Sequence, residues 1–361
     1  MERLRVLILI PHLGGGGAEQ VIALIARGLS SEKYELHLGL VTAPDSGSET
    51  LPPSVAVHAL GARRVRTAAL PLLRLVHRVR PHLILSGAAH LNFLVLLIRS
   101  FFPPGTRVLV RQNATASAVL REGKVPRFTR LLYLLLYRRA DRVICQSRAM
   151  AEDLAETARI EPDRIAVLPN PVDIAGVLAA HEGPSQWQGS GPHLLAVGRL
   201  APEKGFDLLL AALARVREAS PGADLVVCGA GPEKAALKAL CRRLGLERAV
   251  CFAGHVDRPY TFFPGATLFV LSSRHEGMPN ALLEAAAAGL PVVAMPCSGG
   301  VVDLLKGRPG AWIAAEVSAG ALADSLTEAL ASLHPGERFP DLLKSPSRPN
   351  TAAFSEGNFI S

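Results

Sequence analysis

Leu268 to Ala294 reads LFVLSSRHEGMPNALLEAAAAGLPVVA, and this stretch decides the fold class. An apolar run ends at Ser272-Ser273, a polar loop carries His275, Glu276 and Gly277, and an alanine-rich helix carries Glu284 before Gly289-Leu290-Pro291 opens a second apolar run. The order predicts strand, loop, helix, strand. In an open parallel sheet, ligands bind beyond the carboxyl ends of the strands, so this loop is expected to face a cleft. Glu276 in the loop and Glu284 on the helix are two carboxylates suited to the paired hydroxyls of a sugar and of a ribose.

The same alternation fills the chain on either side. Before it, strands are predicted at 194–197, 224–228 and 250–253 with helices at 206–219 and 232–244. In the first half, Leu4 to Ile10 is a continuous apolar run, followed by Gly14-Gly15-Gly16-Gly17 and a helix from Ala18 to about Leu29. Further strands near 35–41, 55–60, 82–86, 107–111, 142–146 and 165–168 alternate with helical patterns near 67–79, 91–100, 128–139 and 148–158. Such βα alternation implies parallel sheets with right-handed crossovers. Between them, Pro169-Asn170-Pro171, Gly183-Pro184 and Gly191-Pro192 break the pattern as a linker does. The expected organisation is an N-terminal Rossmann-like domain over 1–168, a linker over 169–192, a second doubly wound domain over 193–340 and a C-terminal segment over 341–361.

Composition sets bounds on this reading. At 361 residues the chain exceeds one ordinary core. With 49% hydrophobic and 19% charged residues it is globular. The net charge of +8 calls for an anionic partner: nucleic acid, a phosphorylated metabolite or an acidic membrane surface. No nucleic-acid recognition motif accompanies the charge, so that partner is set aside. Cys145, Cys228, Cys241, Cys251 and Cys297 are odd in number and lack a CxxC pair, which reads as core thiols in a reducing, cytoplasmic setting. The apolar run Val6 to Ile10 is too short for a signal peptide, and no run approaches the roughly 20 residues that span a bilayer.

Basic residues gather in the first half: Arg63, Arg64, Arg66, Arg74, His77, Arg78 and Arg80, then Lys124, Arg127, Arg130, Arg138, Arg139 and Arg142. Leucines and aromatics sit among the second group, as in Phe128 to Tyr137. A basic helix with an apolar face can lie on an anionic bilayer, and an ordinary helix with a solvated basic rim has the same pattern.

Three glycine-containing turns follow predicted strands. Gly14 to Gly17 opens a helix and can present backbone N–H groups to an anion, although a tight strand-to-helix turn needs the same glycines and the GxGxxG fingerprint fails at Glu19. Val197-Gly198-Arg199 to Lys204-Gly205-Phe206 brings two cations and a helix N-terminus to one loop, as a diphosphate requires. Gly229-Ala230-Gly231-Pro232-Glu233 is a turn with proline at the start of a helix. Phe252 to Asp257 ends another strand at His255, where backbone groups are placed to read the edge of a base.

Taken together, GGGGAE, VGRLAPEKGFD, GAGPE, FAGHVD and the opening stretch resemble the family 4 retaining glycosyltransferases of GT-B fold over about residues 4 to 330. The resemblance implies two Rossmann-like domains facing a central cleft. It implies Glu276 on the donor sugar, Glu284 on the ribose, and Arg199 and Lys204 on the diphosphate. The backbone of Gly198, the loop Gly277, Met278, Pro279 and Asn280, and His255 fall to the donor, with Gly15 and Gly16 on the opposing first-domain loop. No metal or other cofactor is implied, because the two cations take over its task. Attack on the same face of the sugar, without an enzyme nucleophile, belongs to the same resemblance. Where many relatives carry a histidine this chain has Gln112, and His90, Arg111, Gln112 and Asn113 are the candidate contacts there. The C-terminal return helix common in the family is matched only at its start.

The expected activity is transfer of a hexose or N-acetylhexosamine from a nucleotide diphosphate sugar, a uridine one first, to a lipid-linked or polysaccharide acceptor. The expected place is the inner face of a membrane. Two other readings stand beside it: a nucleotide-sugar epimerase of the same shape, and a binding protein that keeps the donor cleft without turnover.

Overall fold

A computed structural model describes residues 3–13, 16–29, 31–42, 51–121, 128–181 and 183–343. The first sheet takes β1 (Leu4–Ile10), β2 (Tyr34–Leu40), β3 (Ala56–Ala59), β4 (Leu83–Ser86), β5 (Arg107–Arg111), β6 (Arg142–Cys145) and β7 (Ile165–Val167). Its helices are α1 (Gly17–Gly28), α2 (Ala69–Val79), α3 (Ala89–Ile98), α4 (Ala116–Arg121), α5 (Thr129–Leu136) and α6 (Arg148–Ala158). After these comes α7 (Ile174–His181). The second sheet takes β8 (His193–Val197), β9 (Asp224–Cys228), β10 (Val250–Gly254), β11 (Leu268–Leu271), β12 (Val292–Ala294) and β13 (Ala311–Ile313). Around it lie α8 (Phe206–Ala219), α9 (Lys234–Arg243), α10 (Asn280–Ala287), α11 (Gly299–Leu305) and α12 (Ala319–Ser332).

The strands pair in parallel in the orders β3-β2-β1-β4-β5-β6-β7 and β10-β9-β8-β11-β12-β13. In each sheet the chain winds outward from its first strand, then returns and winds the other way. This is the Rossmann order, with a topological switch point between β1 and β4 and another between β8 and β11.

Apolar runs without alternation are what strands covered on both faces need. Along β1, Leu7 and Leu9 join one core while Val6, Ile8 and Ile10 join the other. Along β11, Leu268 and Val270 face α8 and α12 residues, and Phe269 and Leu271 face α10 residues. Cys145, Cys228, Cys241 and Cys297 are buried free thiols, whereas Cys251 is exposed on β10, so the expectation of five core thiols holds for four.

By contacts, the first unit runs to Pro171 and the second starts at Val172. The stretch expected as linker therefore carries structure: α7 lies within it, capped by Asp173, whose Oδ1 accepts from the Gly176 amide at 3.0 Å. Val177 is fully buried in the second unit's core beside α10 residues. Leu342, in the expected C-terminal segment, is buried in that core too, while 344–361 lie outside the described residues.

One polar cluster stands inside the first unit. Tyr137 donates from its hydroxyl to Gln112 Oε1 at 2.7 Å and accepts from Asn92 Nδ2 at 3.2 Å. Gln112 Nε2 donates to the Tyr133 hydroxyl at 3.1 Å and to the Ala114 carbonyl at 2.7 Å. Burial pushes the phenols of Tyr133 and Tyr137 up from the usual range, so both stay protonated and able to donate. Tyr137→Phe removes the donor to the buried Gln112 oxygen and is expected to lower stability by about 1–3 kcal/mol, read as a shift in urea midpoint.

Candidate functional site

The loops after β8 and β11 leave the second sheet side by side at its switch point, and there the principal cluster forms. After β8 the chain passes Gly198 and Arg199, makes a short 3-10 turn over Pro202–Lys204 and enters α8 through Gly205. Gly205 sits at φ 62°, and a Cβ there would lie 2.0 Å from the Ser272 carbonyl oxygen. Only glycine allows that approach. Ser272 answers by donating from Oγ to the Lys204 carbonyl at 2.9 Å. Arg274 clamps the turn from the other loop, with two bonds to Asp207 at 2.8 and 2.7 Å and one to the Pro202 carbonyl at 2.7 Å. That fork holds the Asp207 carboxyl below its ordinary value.

With the two loops locked, Lys204 Nζ meets Glu276 Oε1 at 2.5 Å, and Ser273 Oγ donates to the same oxygen at 2.7 Å. The side chains of the pair are 22% and 12% exposed, so solvent screens the interaction only in part. Gly198 makes room for the lysine, since a Cβ there would sit 3.3 Å from Lys204 Cδ. Arg199 points elsewhere: it is 68% exposed and pairs with Glu203 at 2.5 Å. The two cations expected on one diphosphate are thus held by different carboxylates of their own unit.

From Glu276 the loop runs through buried Gly277, half-buried Met278 and buried Pro279 into the first turn of α10 at Asn280. Ser298 caps α11 and donates to the Gly277 carbonyl at 3.4 Å, tying the loop to the chain after β12. Eight positions after Glu276, Glu284 lies on α10. Burial, aided by the Asp173 carboxylate, pushes its carboxyl up to about 7. Beside this site Cys297 is inert, its thiol pushed by burial up to about 12.

Other candidates fall apart from the cluster. His255 follows the edge strand β10, is exposed, and lies 3.1 Å from Asp257. The turn Gly229 to Glu233 packs against the loop after β8: a Cβ on Gly229 would lie 1.8 Å from the Gly198 carbonyl oxygen, and Leu200 N–H donates to the Ala230 carbonyl at 2.9 Å. That turn shapes the wall of the site.

In the first unit, Gly16 and His90 flank the switch point between β1 and β4. Gly15 lies outside the described residues. Gly16 is overhung by Glu19, whose Oε2 would lie 2.4 Å from a Cβ placed there. His90 is exposed in the first turn of α3. Asn113 bonds to the Gly87 carbonyl and accepts from Arg111 at 2.5 Å and from Gln146 at 3.2 Å. Arg111 also donates to Asn170, which joins the ends of β4, β5, β6 and β7 in one polar brace. Arg111 is 4% exposed, and burial pulls its guanidinium down to about 10.

Gln112 corrects an expectation. It is 1% exposed and turned toward Tyr133 and Tyr137, so it is a core group and no ligand contact. The pleat explains this: Val108, Val110 and Gln112 share one face of β5 while Leu109 and Arg111 share the other. Sequence reasoning missed the supporting groups Ser272, Ser273, Arg274, Asp207 and Asp173. Ser273 and Glu276, three residues apart at a strand end, were the one local signal among them.

Comparison with known proteins gives the family. The pattern described as Glycosyltransferase Family 4 matches residues 15–175, and that described as Glycosyl transferases group 1 matches 180–339. The chain is 28% identical over 311 residues, 82% of each protein, to the N-acetylgalactosamine-N,N'-diacetylbacillosaminyl-diphospho-undecaprenol 4-alpha-N-acetylgalactosaminyltransferase of Campylobacter jejuni. It is 32% identical over 210 residues, 58% of each, to the lipopolysaccharide core biosynthesis glycosyltransferase LpsE of Rhizobium meliloti. Its fold matches Anabaena HepE, solved with UDP and glucose, at a TM-score of 0.75 and 19% identity, covering 91% of this chain and 90% of that one. The two Rossmann-like units are those of the GT-B class, and the chain belongs to the group 1, family 4 glycosyltransferases and is a transferase enzyme.

Proposed function

We propose that the protein moves a hexose or N-acetylhexosamine, with retention, from a uridine diphosphate sugar to a lipid-linked or polysaccharide acceptor at the inner face of the cytoplasmic membrane. The observation that carries this is the Lys204–Glu276 pair at the switch point of the second sheet, with Glu284 on the helix that follows. A diphosphate reaching Lys204 replaces a carboxylate with a more highly charged anion, and Glu276 is then released to accept from sugar hydroxyls. Arg199, at the surface beside Glu203, can swing to the same phosphates. As the bond from the anomeric carbon to the diphosphate breaks, the acceptor hydroxyl oxygen takes its place on the same face, its proton passes to the departing phosphate oxygen, and the two cations stabilise the departing charge. The Campylobacter relative carries an undecaprenol-linked acceptor in its name, and HepE was solved with UDP and glucose; both support the reading.

In this reading the cations do what a metal does elsewhere, and turnover is expected to be unchanged by EDTA. Lys204→Ala is expected to cut turnover about 100-fold or more, an effect typical of losing one group that stabilises developing charge. Product formation from a panel of uridine diphosphate sugars is the measurement, and a Lys204→Ala variant as active as the parent would sink the assignment. Donor loss that proceeds equally without acceptor would point to isomerisation instead.

Glu284 supplies an independent check. The folded protein keeps its carboxyl proton up to about pH 7, whereas the unfolded chain releases it above about 4.5. Stability from this group is therefore full below pH 4.5 and is lost as pH rises to 7, at a cost on the order of 2–4 kcal/mol. Glu284→Gln is expected to raise the denaturation midpoint at pH 8 relative to the parent, to leave it nearly unchanged at pH 4.5, and to weaken donor binding. That combination marks a group kept for a ligand at the expense of the fold.

A further inference from the structure

Beyond the C-terminal end of α2 the first unit holds a cavity of about 540 Å³. The strand register puts Arg5 of β1 beside Glu35 of β2, and His37 of β2 and His58 of β3 fall on the same face of the sheet. Farther along that face, Leu7 and Leu9 are covered by Leu72, Leu75 and Val76 of α2. The helix stops at Val79 and leaves the four polar side chains under its end, with Arg78 and Arg80 completing the lining. This is the end of the sheet opposite to Gly87 and Asn113, away from the switch point. The acceptors at the end of α2 are partly taken: the Arg80 N–H closes the helix on the Val76 carbonyl at 2.8 Å, and Arg5 Nε donates to the Arg80 carbonyl at 3.0 Å.

Inside the cavity the histidines form a relay. His37 Nε2 lies 3.2 Å from Glu35 Oε1, His37 Nδ1 lies 3.0 Å from His58 Nε2, and the two rings stack at 5.3 Å. A carboxylate only accepts, so a neutral His37 carries its hydrogen on Nε2 and takes a bond on Nδ1 from His58 Nε2. That leaves His58 Nδ1 with a lone pair, and burial, His37 and Arg78 together pull the proton affinity of His58 down. Around it stand Arg5, Arg78 and Arg80, with Glu35 as the one carboxylate among the described lining residues. His82, the remaining imidazole nearby, accepts on Nδ1 from the Arg5 amide at 3.0 Å. We propose that this cavity binds a phosphate dianion, free or carried on a small solute, through Arg78, Arg80 and the protonated imidazole of His58. A dianion supplies the counter-charge that the lining lacks, and its presence favours a proton on His58 Nδ1, so binding and protonation reinforce each other. A divalent cation fits poorly, since two imidazoles would offer it nitrogen beside three guanidinium groups, and among the described residues no group of three His, Cys, Asp or Glu is placed to hold a metal.

The test is calorimetric titration of the full chain with sodium sulfate, a dianion whose charge is constant with pH, for the parent and for R78Q/R80Q, H58Q and K204A. The parent is expected to bind sulfate severalfold more tightly at about pH 5.5 than at about pH 8, as His58 gains its proton. R78Q/R80Q is expected to bind at least about tenfold more weakly. Both arginines are exposed, so that variant keeps the parent's melting temperature. H58Q is expected to lose most of the pH dependence, and K204A, altered only in the other unit, to bind as the parent does. Inorganic phosphate and glycerol 3-phosphate titrated side by side then separate the free ion from a phosphorylated solute. Absence of sulfate binding in the parent, equal binding by R78Q/R80Q, or binding lost in K204A would overturn the site, the last because the anion would then sit at Lys204. A thermal shift with zinc chloride that H58Q abolishes, without any sulfate binding, would overturn it in favour of a cation.

Discussion

The half-buried ion pair between Lys204 and Glu276 is made possible by a rule of chain winding. Parallel strands need right-handed crossovers, so a sheet that grows first to one side and then to the other must reverse beside its first strand. At that reversal, the chain leaving β8 and the chain leaving β11 start from neighbouring strand ends and turn to helices on opposite faces. Every feature around the pair serves to hold those two loops at one spacing. Gly205 permits backbone contact with Ser272, the Arg274–Asp207 fork draws the loops together, and Gly229 presses the next turn against Gly198. Without this bracing, a lysine and a glutamate 72 positions apart in the chain would sample many geometries.

The first unit uses the same winding and reaches a different end. Its reversal lies between β1 and β4, and the residues leaving β4, β5, β6 and β7 are neutral amides and carbonyls grouped about Arg111. A buried guanidinium with amide partners retains an uncompensated charge, which is why burial pulls its proton affinity down. The second unit meets its lysine with a carboxylate, whereas among the described residues the first meets its arginine with the amides of Asn113 and Asn170.

The sheets were legible because strands buried on both faces are continuous apolar runs; Arg107–Arg111 and Asp224–Cys228 were placed to the residue. Glu276 and Lys204 stood out as candidates because strand-end loops are where a parallel sheet offers chemistry. Less visible was α7, whose sequence IAGVLAAH is short, apolar on all sides and flanked by prolines and glycines, so that no period of 3.6 emerges. That Arg199 rests on Glu203 was not legible, because proximity in sequence says nothing of which carboxylate a long side chain will find. Gln112 was misjudged because its place at the strand end, where many relatives carry a histidine, suggested a ligand contact while the phase of the pleat pointed it inward.

Glu284 has a thermodynamic corollary beyond its place in the fold. A carboxyl held at about 7 is half charged at neutral pH. A ribose seated on its carboxylate form would therefore drive a fraction of a proton into solution for every donor bound. Donor capture becomes a proton-coupled equilibrium: its apparent heat varies with the ionisation enthalpy of the buffer, and a mildly acidic medium weakens the grip on the nucleotide without altering any residue of the site.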